Sequence, residues 1–326
     1  MQSEQNLIVI AGPTGSGKSE LALRIAERFG GEVVNCDSVQ IYRFFNIGAA
    51  KLAEEDRRGV PHHLIDIADP PEVFTAGDFA RIGRPVLHAI SGRGHLPIVT
   101  GGTGLYLRAL IDGFAPAPQR DEALRGKLRA REASRPGSVH RILRRFDPKA
   151  ALRIHQNDLP KVIRALEIGI ASRSSATEVF AAGRDRLEGY RVLKIGLFPP
   201  REKLYARLEA RMEAMFAGGL IEETAAIRAR GYPETCKAFE SIGYKQALQV
   251  LKGELSPRDA LFYAKRETRR YAKRQMTWFR QEPDLEIVSG FGDAEEVMAQ
   301  VEQQIATFSA DPATLLRGDT KALDCL

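Results

Sequence analysis

Cysteine is scarce in this 326-residue chain, and its three copies, Cys36, Cys236 and Cys325, lie far apart with no C-x-x-C spacing. An odd, scattered set argues against both a disulfide framework and a structural zinc site, and leaves reduced thiols as the expectation. No run of eighteen apolar residues occurs, so a membrane span is not supported. Nor is a charged N-terminal region followed by an apolar one present, so no signal peptide is expected and the cytoplasm is the expected compartment. The N-K-x-D pattern that reads guanine and an apolar strand ending in D-x-x-G are both missing, which disfavours a GTPase. Histidine offers one adjacent pair, His62-His63. Neighbouring side chains point different ways and no third ligand is spaced nearby, so hydrogen bonding is the expected role rather than metal binding. Internal repeats and long low-complexity tracts are absent.

What is present begins with an apolar run, Leu7-Ile8-Val9-Ile10-Ala11, that feeds Gly12-Pro13-Thr14-Gly15-Ser16-Gly17-Lys18-Ser19. Gly12, Gly17, Lys18 and Ser19 satisfy G-x-x-x-x-G-K-[ST], and a helical pattern follows from Glu20 to Glu27. Strand, loop and helix therefore come in the order a phosphate-binding loop needs. Glycines permit positive φ and close approach, successive N–H groups cradle an anion, Lys18 supplies charge, and the Ser19 hydroxyl can ligate Mg²⁺. The loop holds a polyphosphate; the motif does not say whose.

With 44% hydrophobic residues the chain can build a sizeable core in one large or two modest domains. Glu32 to Cys36 reads as a second strand, Pro97 to Thr100 as another, and Arg191 to Phe198 as a later one, with helical patterns between. This is an α/β, doubly wound parallel sheet of the P-loop type. Residues 1–115 are expected to form its first part, 116–199 a helical basic insertion, 200–308 the core completion and C-terminal helices, and 309–326 a mobile tail. Near the end, Ser256-Pro257-Arg258-Asp259 offers an N-cap, a proline at the first helical position and an acid two residues on. It opens a helix over about 257–280 whose apolar stripe is Leu261, Ala264, Tyr271 and Met276.

The net charge of +6 is unevenly spread. Residues 120–164 hold thirteen Lys/Arg against five acids, and residues 258–280 hold eight against two, so these windows carry +14 and the remainder −8. Such segregation is the footprint of a polyanion larger than a nucleotide, although solvated helix faces give the same count.

Ligands of open α/β sheets bind beyond the carboxyl ends of the strands. Asp37, at the tip of the second strand, is thus a candidate base facing the phosphate; a helix N-cap is the other reading. Thr100-Gly101-Gly102-Thr103-Gly104-Leu105-Tyr106 reaches the same edge from the third strand, bringing the Thr103 hydroxyl close. Small-molecule kinases share the loop and an acid after strand two, but need no segregated charge. A non-enzymatic RNA-binding protein is the third reading. Cys36 alternates with Asp37 and is expected to face the sheet, and Trp278 either stacks on a base or packs.

At this point the chain resembles the tRNA dimethylallyltransferases, or tRNA isopentenyltransferases, of bacterial type. The resemblance runs from about residue 7 to 282 through the phosphate loop, Asp37-Ser38-Val39-Gln40-Ile41-Tyr42, Pro61-His62-His63-Leu64-Ile65-Asp66, Phe74-Thr75-Ala76-Gly77-Asp78-Phe79, Gly101 to Tyr106, Arg164-Ala165-Leu166-Glu167, Ile242-Gly243-Tyr244-Lys245-Gln246 and Arg270 to Phe279. Ala49 stands where threonine is common and Lys161 where arginine is common, and the C-terminal zinc finger of some eukaryotic members is absent. The resemblance implies a transferase that alkylates N6 of adenosine 37 in the anticodon loop with dimethylallyl diphosphate, using Mg²⁺ at Ser19. It places Gly12, Pro13, Thr14, Gly15, Ser16, Gly17, Lys18 and Ser19 on the diphosphate. Arg201, Arg207 and Arg211 follow the last core strand, where one or two, Arg207 foremost, are expected to reach the diphosphate; ordinary helix-surface arginines are the other reading. Asp37 and Thr103 are implied as catalytic, and Asp37, Ser38, Val39, Gln40, Thr103, Arg125, Lys161 and Arg164 as tRNA-binding. The expected partners are tRNA and dimethylallyl diphosphate, with no membrane and a monomeric chain.

Overall fold

The computed structural model describes residues 4–115, 117–181 and 183–310, so most of the expected tail, 309–326, lies outside the described residues. Two compact units emerge, 1–110 with 188–326, and 111–187.

The first unit is built on six parallel strands: β1 (Gln5–Ala11), β2 (Gly31–Asn35), β3 (His62–His63), β4 (Leu96–Gly101), β5 (Tyr190–Leu197) and β6 (Leu285–Val288). Their order is β3-β2-β4-β1-β5-β6. β1 is apolar along nearly its whole length because it lies between β4 and β5 and both faces are covered, as parallel sheets require. α1 (Lys18–Phe29) and α2 (Ala76–Gly92) cross between strands, and α3 (Gly104–Ile111) leaves β4. Thr75 opens α2 by accepting from the Asp78 amide while Asp78 reaches back to the Thr75 amide, a reciprocal cap that the short pattern T-x-x-D encodes. Leu21, Leu23 and Ile25 of α1 pack on Ile8, Ile10, Ile98 and Ile195.

β5 takes its register from β1, Gln5 opposite Tyr190 through Ala11 opposite Gly196. The insertion therefore closes at Leu187 rather than at 199, because hydrogen bonding to β1 claims the strand for the sheet. The edge strands β3 and β6 add to the strands read from the sequence. Two residues are too short for a periodic signal, and Leu285–Val288 has only Val288 fully buried. The histidine pair makes hydrogen bonds: His62 to the Val60 carbonyl at 2.9 Å, and His63 to Glu32 at 2.6 Å. Glu32 is buried at the start of β2 and also meets Arg93 and His95, contacts that overcome its burial and hold its carboxyl down at about 2.

The second unit comprises α4 (Glu122–Ser134), α5 (Ser138–Phe146), α6 (Pro148–Arg153), α7 (Leu159–Ser172) and α8 (Ala176–Ala181). Asp121, Asp147 and Asp158 cap α4, α6 and α7 through their side chains. The core is Leu128, Val139, Leu143, Val162, Ile163, Leu166 and Ile168 with several alanines.

The chain re-enters the first unit through β5, followed by α9 (Arg201–Ala217), α10 (Leu220–Ala229), α11 (Tyr244–Leu251), α12 (Pro257–Phe279) and, after β6, α13 (Glu295–Ser309). Ser256 caps α12 at the Asp259 amide, 3.1 Å, as its sequence dictates. The buried stripe of α12 is Ala260, Ala264, Thr268, Ala272, Gln275, Met276 and Phe279, narrower in side-chain size than the expected one and with a glutamine inside it.

Candidate active site

β2, β4 and β1 are neighbours in the sheet, so their carboxyl ends form one edge. Ala11 is opposite Gly101, Asn35 opposite Thr100, and the Cys36 amide donates to the Thr100 carbonyl at 2.8 Å. That register brings the phosphate loop, Asp37 and Thr103 together.

The loop turns through positive φ at Gly12 (143°), Gly15 (78°) and Gly17 (86°). Gly17 is the N-cap of α1 and contributes no capping side chain, so the first amides of the helix remain available to an anion. Lys18 curls back and donates to the Pro13 carbonyl at 2.7 Å. Enclosure lowers its ammonium to about 8; Asp37 works in the opposite direction and Arg211 adds to the lowering. The Ser16 hydroxyl is buried with no hydrogen-bond partner among the described residues, a polar atom held ready for a ligand. Ser19, three residues on, is exposed. No cluster of three or more His, Cys, Asp or Glu able to hold a metal occurs among the described residues. The Ser19 hydroxyl, together with diphosphate and water oxygens, would be a donor set that suits Mg²⁺.

Asp37 closes a tight turn in which Oδ1 accepts from the amides of Val39 (2.8 Å) and Gln40 (3.3 Å). Its other oxygen, Oδ2, accepts no hydrogen bond from a described residue. No helix begins directly after Asp37, so its side chain caps a turn rather than a helix N-terminus. The Thr103 hydroxyl accepts from the Ser38 amide at 3.1 Å and lies 3.4 Å from the Ser38 hydroxyl, which fixes the tips of β2 and β4 to each other. Gln40 turns inward and donates to the carbonyls of Ala49 (3.0 Å) and Ala50 (3.3 Å). Cys36 is buried and its thiol is pushed up by that burial, then by Asp37.

Helices α9 and α12 add further groups. Arg211 is the arginine whose charge is felt by both Lys18 and Asp37. Arg207 is paired with Asp293 at 2.9 Å and stacks over Phe291 at 4.9 Å, and Arg201 bonds the Tyr205 hydroxyl at 3.0 Å. Of the three candidates, Arg211 is the one whose charge acts on Lys18; burial lowers its own guanidinium, Asp37 raises it and Arg207 lowers it in turn. From α12, burial and then the Asp37 charge push the Tyr271 phenol up, with Arg274 opposing. Trp278 packs edge-on against Gly104, where an added Cβ would lie 2.1 Å from its indole nitrogen, while Arg108 covers its ring at 4.6 Å. The basic stripe of α12 divides: Lys265 pairs with Glu213 and Arg269 with Glu209, whereas Arg270, Lys273 and Arg274 are exposed.

In the helical unit, Arg125 is engaged inward. Its guanidinium makes two 2.8 Å bonds to Glu167, and the two side chains are only 11% and 1% exposed. Arg164 bonds the same carboxylate and the Pro118 carbonyl, and Lys161 pairs with Asp158 at 2.6 Å while 72% exposed.

The model of the IPP transferase family matches residues 40–282, and that of isopentenyl transferases matches residues 5–66. The chain belongs to the IPP transferase family. A tRNA dimethylallyltransferase of Solibacter usitatus is 59% identical over 93% of this chain and 98% of its own. One from Koribacter versatilis is 51% identical over 94% and 99%. Among solved structures, the tRNA isopentenylpyrophosphate transferase of Bacillus halodurans aligns with a TM-score of 0.69 at 38% identity, covering 93% of this chain and 96% of that one. A eukaryotic dimethylallyltransferase acting on tRNA aligns with a TM-score of 0.80 at 28% identity, covering 93% and 80%. The IPP transferase fold is thus matched along nearly all of the chain. Among the described residues no helix is long and apolar enough to cross a membrane.

Proposed function

We propose that this chain transfers the dimethylallyl group of dimethylallyl diphosphate to N6 of adenosine 37 in the anticodon loop of tRNA, releasing diphosphate. The observation that carries the reading is an anion loop with an enclosed lysine beside a carboxylate that keeps one oxygen free. A departing diphosphate gathers negative charge as the allylic C–O bond breaks, and the α1 amides, Lys18 and Arg211 are the groups to receive it. Mg²⁺ bound at Ser19 would add Lewis-acid stabilisation of the same oxygens. Adenine N6 is a weak nucleophile because its lone pair is delocalised into the ring. As the N–C bond forms, its proton passes to Asp37 Oδ2 while Thr103 orients the amine. The base must leave its stack, which costs less in a loop than in a duplex. We read the enzyme as cytoplasmic and monomeric. Incubating it with unmodified tRNA and Mg²⁺ tests the proposal. Dimethylallyl diphosphate, and not ATP, is expected to add one dimethylallyl unit to adenosine; phosphoryl transfer from ATP to an acceptor would overturn it.

Lys18 sets a pH dependence. The ammonium is protonated below about 8 in the free enzyme and loses its charge above, so kcat/KM for the diphosphate substrate is expected to fall about tenfold per pH unit beyond that point. Bound diphosphate favours the charged form, so the limb moves to higher pH in kcat. A kcat/KM profile that stays flat through pH 9, about one unit past that value, removes Lys18 from the diphosphate site.

For the RNA, Lys161, Arg164 and the exposed Arg270, Lys273 and Arg274 are the proposed phosphate contacts, with Ser38, Val39 and Gln40 close to the base. Arg125 supports the helical unit through Glu167. Lys161→Ala is expected to reduce the slope of log K against log salt by about 0.7 to 0.9, and Arg270→Ala likewise, with diphosphate binding intact. An unchanged slope in a titration of either variant takes that residue out of the interface.

A further inference from the structure

Gln275, in the last turns of α12, faces inward and is 6% exposed. Its Oε1 accepts from the Thr14 amide at 2.9 Å and its Nε2 donates to the Gly102 carbonyl at 2.9 Å. Each bond falls on a peptide plane with a second duty. The carbonyl of the Pro13–Thr14 peptide holds the Lys18 ammonium at 2.7 Å. The amide of the Gly102–Thr103 peptide belongs to Thr103 and donates to the Cys36 carbonyl at 3.4 Å. A peptide is planar, so fixing one end fixes the other. Position 102 admits the amide only as glycine, because a Cβ there would lie 2.2 Å from Nε2.

We infer that Gln275 is a positioning residue that sets, through one side-chain amide, both the lysine of the diphosphate loop and the threonine of the adenine loop. Leaving group and nucleophile are held in register by a bridge from a third element. That element also carries the exposed cations Arg270, Lys273 and Arg274 on neighbouring turns. This rests on the assignment of Lys18 to diphosphate and Thr103 to the amine.

Two variants test it. Gln275→Met keeps the length and removes both hydrogen bonds. Misplacing reacting groups by about an ångström costs up to about 10²-fold, so its single-turnover alkylation rate at saturating substrates is expected to fall about 10- to 100-fold, with tRNA affinity within about twofold. Gln275→Glu can accept from Thr14 in either state but can donate to Gly102 only when protonated, and burial raises a carboxyl pKa. Its rate relative to the parent is therefore expected to rise as pH falls from about 8 to about 5.5, a rescue that a purely structural loss would not show. A parental single-turnover rate for Gln275→Met, or a pH-independent ratio for Gln275→Glu, overturns the proposal. If Gln275→Met does not fold, the Gln275→Glu profile decides. Lys18→Ala serves as the control: full activity there would fault the diphosphate assignment, whereas its loss alongside unaffected Gln275 variants faults the bridge alone.

Discussion

Replacing Asp37 with alanine is expected to lower the single-turnover rate by about 10²–10⁴ while tRNA affinity changes less than about twofold. The size follows from the acidity problem at adenine N6, whose proton must leave as the new bond forms. Alanine also removes the turn that Oδ1 makes with the amides of Val39 and Gln40, so part of the loss would be geometric. The substitution Asp37→Asn separates the two effects. An asparagine side chain retains an acceptor for the same turn but has no basic oxygen, so Asp37→Asn is expected to fall nearly as far as Asp37→Ala. A parental rate for Asp37→Asn in rapid-quench measurements would assign Asp37 to the turn alone.

The second large effect is on stability, and it concerns the helical unit. Glu167 is buried, accepts from Arg125, Arg164 and the Asp121 amide, and is held down at about 2 although burial alone would raise it. Glu167→Ala would leave the Arg125 guanidinium enclosed without its counter-charge. Breaking a buried pair in this way costs about 3–5 kcal/mol, a large share of what a unit spanning residues 111–187 can hold. Amide exchange is expected to show protection lost across residues 122–172 while β1, β4 and β5 keep theirs. The same pair fixes a pH response. Because folding depresses the Glu167 pKa, its contribution is fully present above the unfolded value near 4.5 and disappears as pH falls toward about 2. A variant whose helical unit exchanges as slowly as the parent's would show that the pairing contributes little.

Glu167 also shows where counting charges along a chain misleads. Thirteen Lys/Arg in residues 120–164 look like one basic surface, yet Arg125 is neutralised by an acid just beyond that window. The same holds for α12, where Glu209 and Glu213 of α9 take up Arg269 and Lys265. Formal charge is additive in sequence, but the field outside depends on which charges have already found partners. Exposed cations remain in both windows, among them Lys127, Arg131, Arg135, Arg144 and Arg145 of the helical unit and Arg270, Lys273 and Arg274 of α12.

The phosphate loop, the approach of Thr103 and the capped start of α12 were legible because each is encoded within a few residues. A glycine pattern sets positive φ, a polar side chain caps its own neighbours, and a strand end points its next residue at the sheet edge. The parallel α/β architecture followed from the alternation of apolar runs with helical ones, whereas the order in which β2, β4 and β1 lie side by side came from the fold. Arg201, Arg207 and Arg211 recur on one helix, and only the fold shows what lies opposite each: Tyr205 beside Arg201, Asp293 beside Arg207, and the charges of Lys18 and Asp37 acting with Arg211. The short edge strands were decided by pairing with β2 and β5, which no periodicity of two or four residues can announce. Gln275 joins Thr14 across 261 residues of chain. A buried glutamine in a helix has no local signature of its function, because the hydrogen bonds that define it belong to backbone groups that only the closed sheet and the docked helix bring within reach.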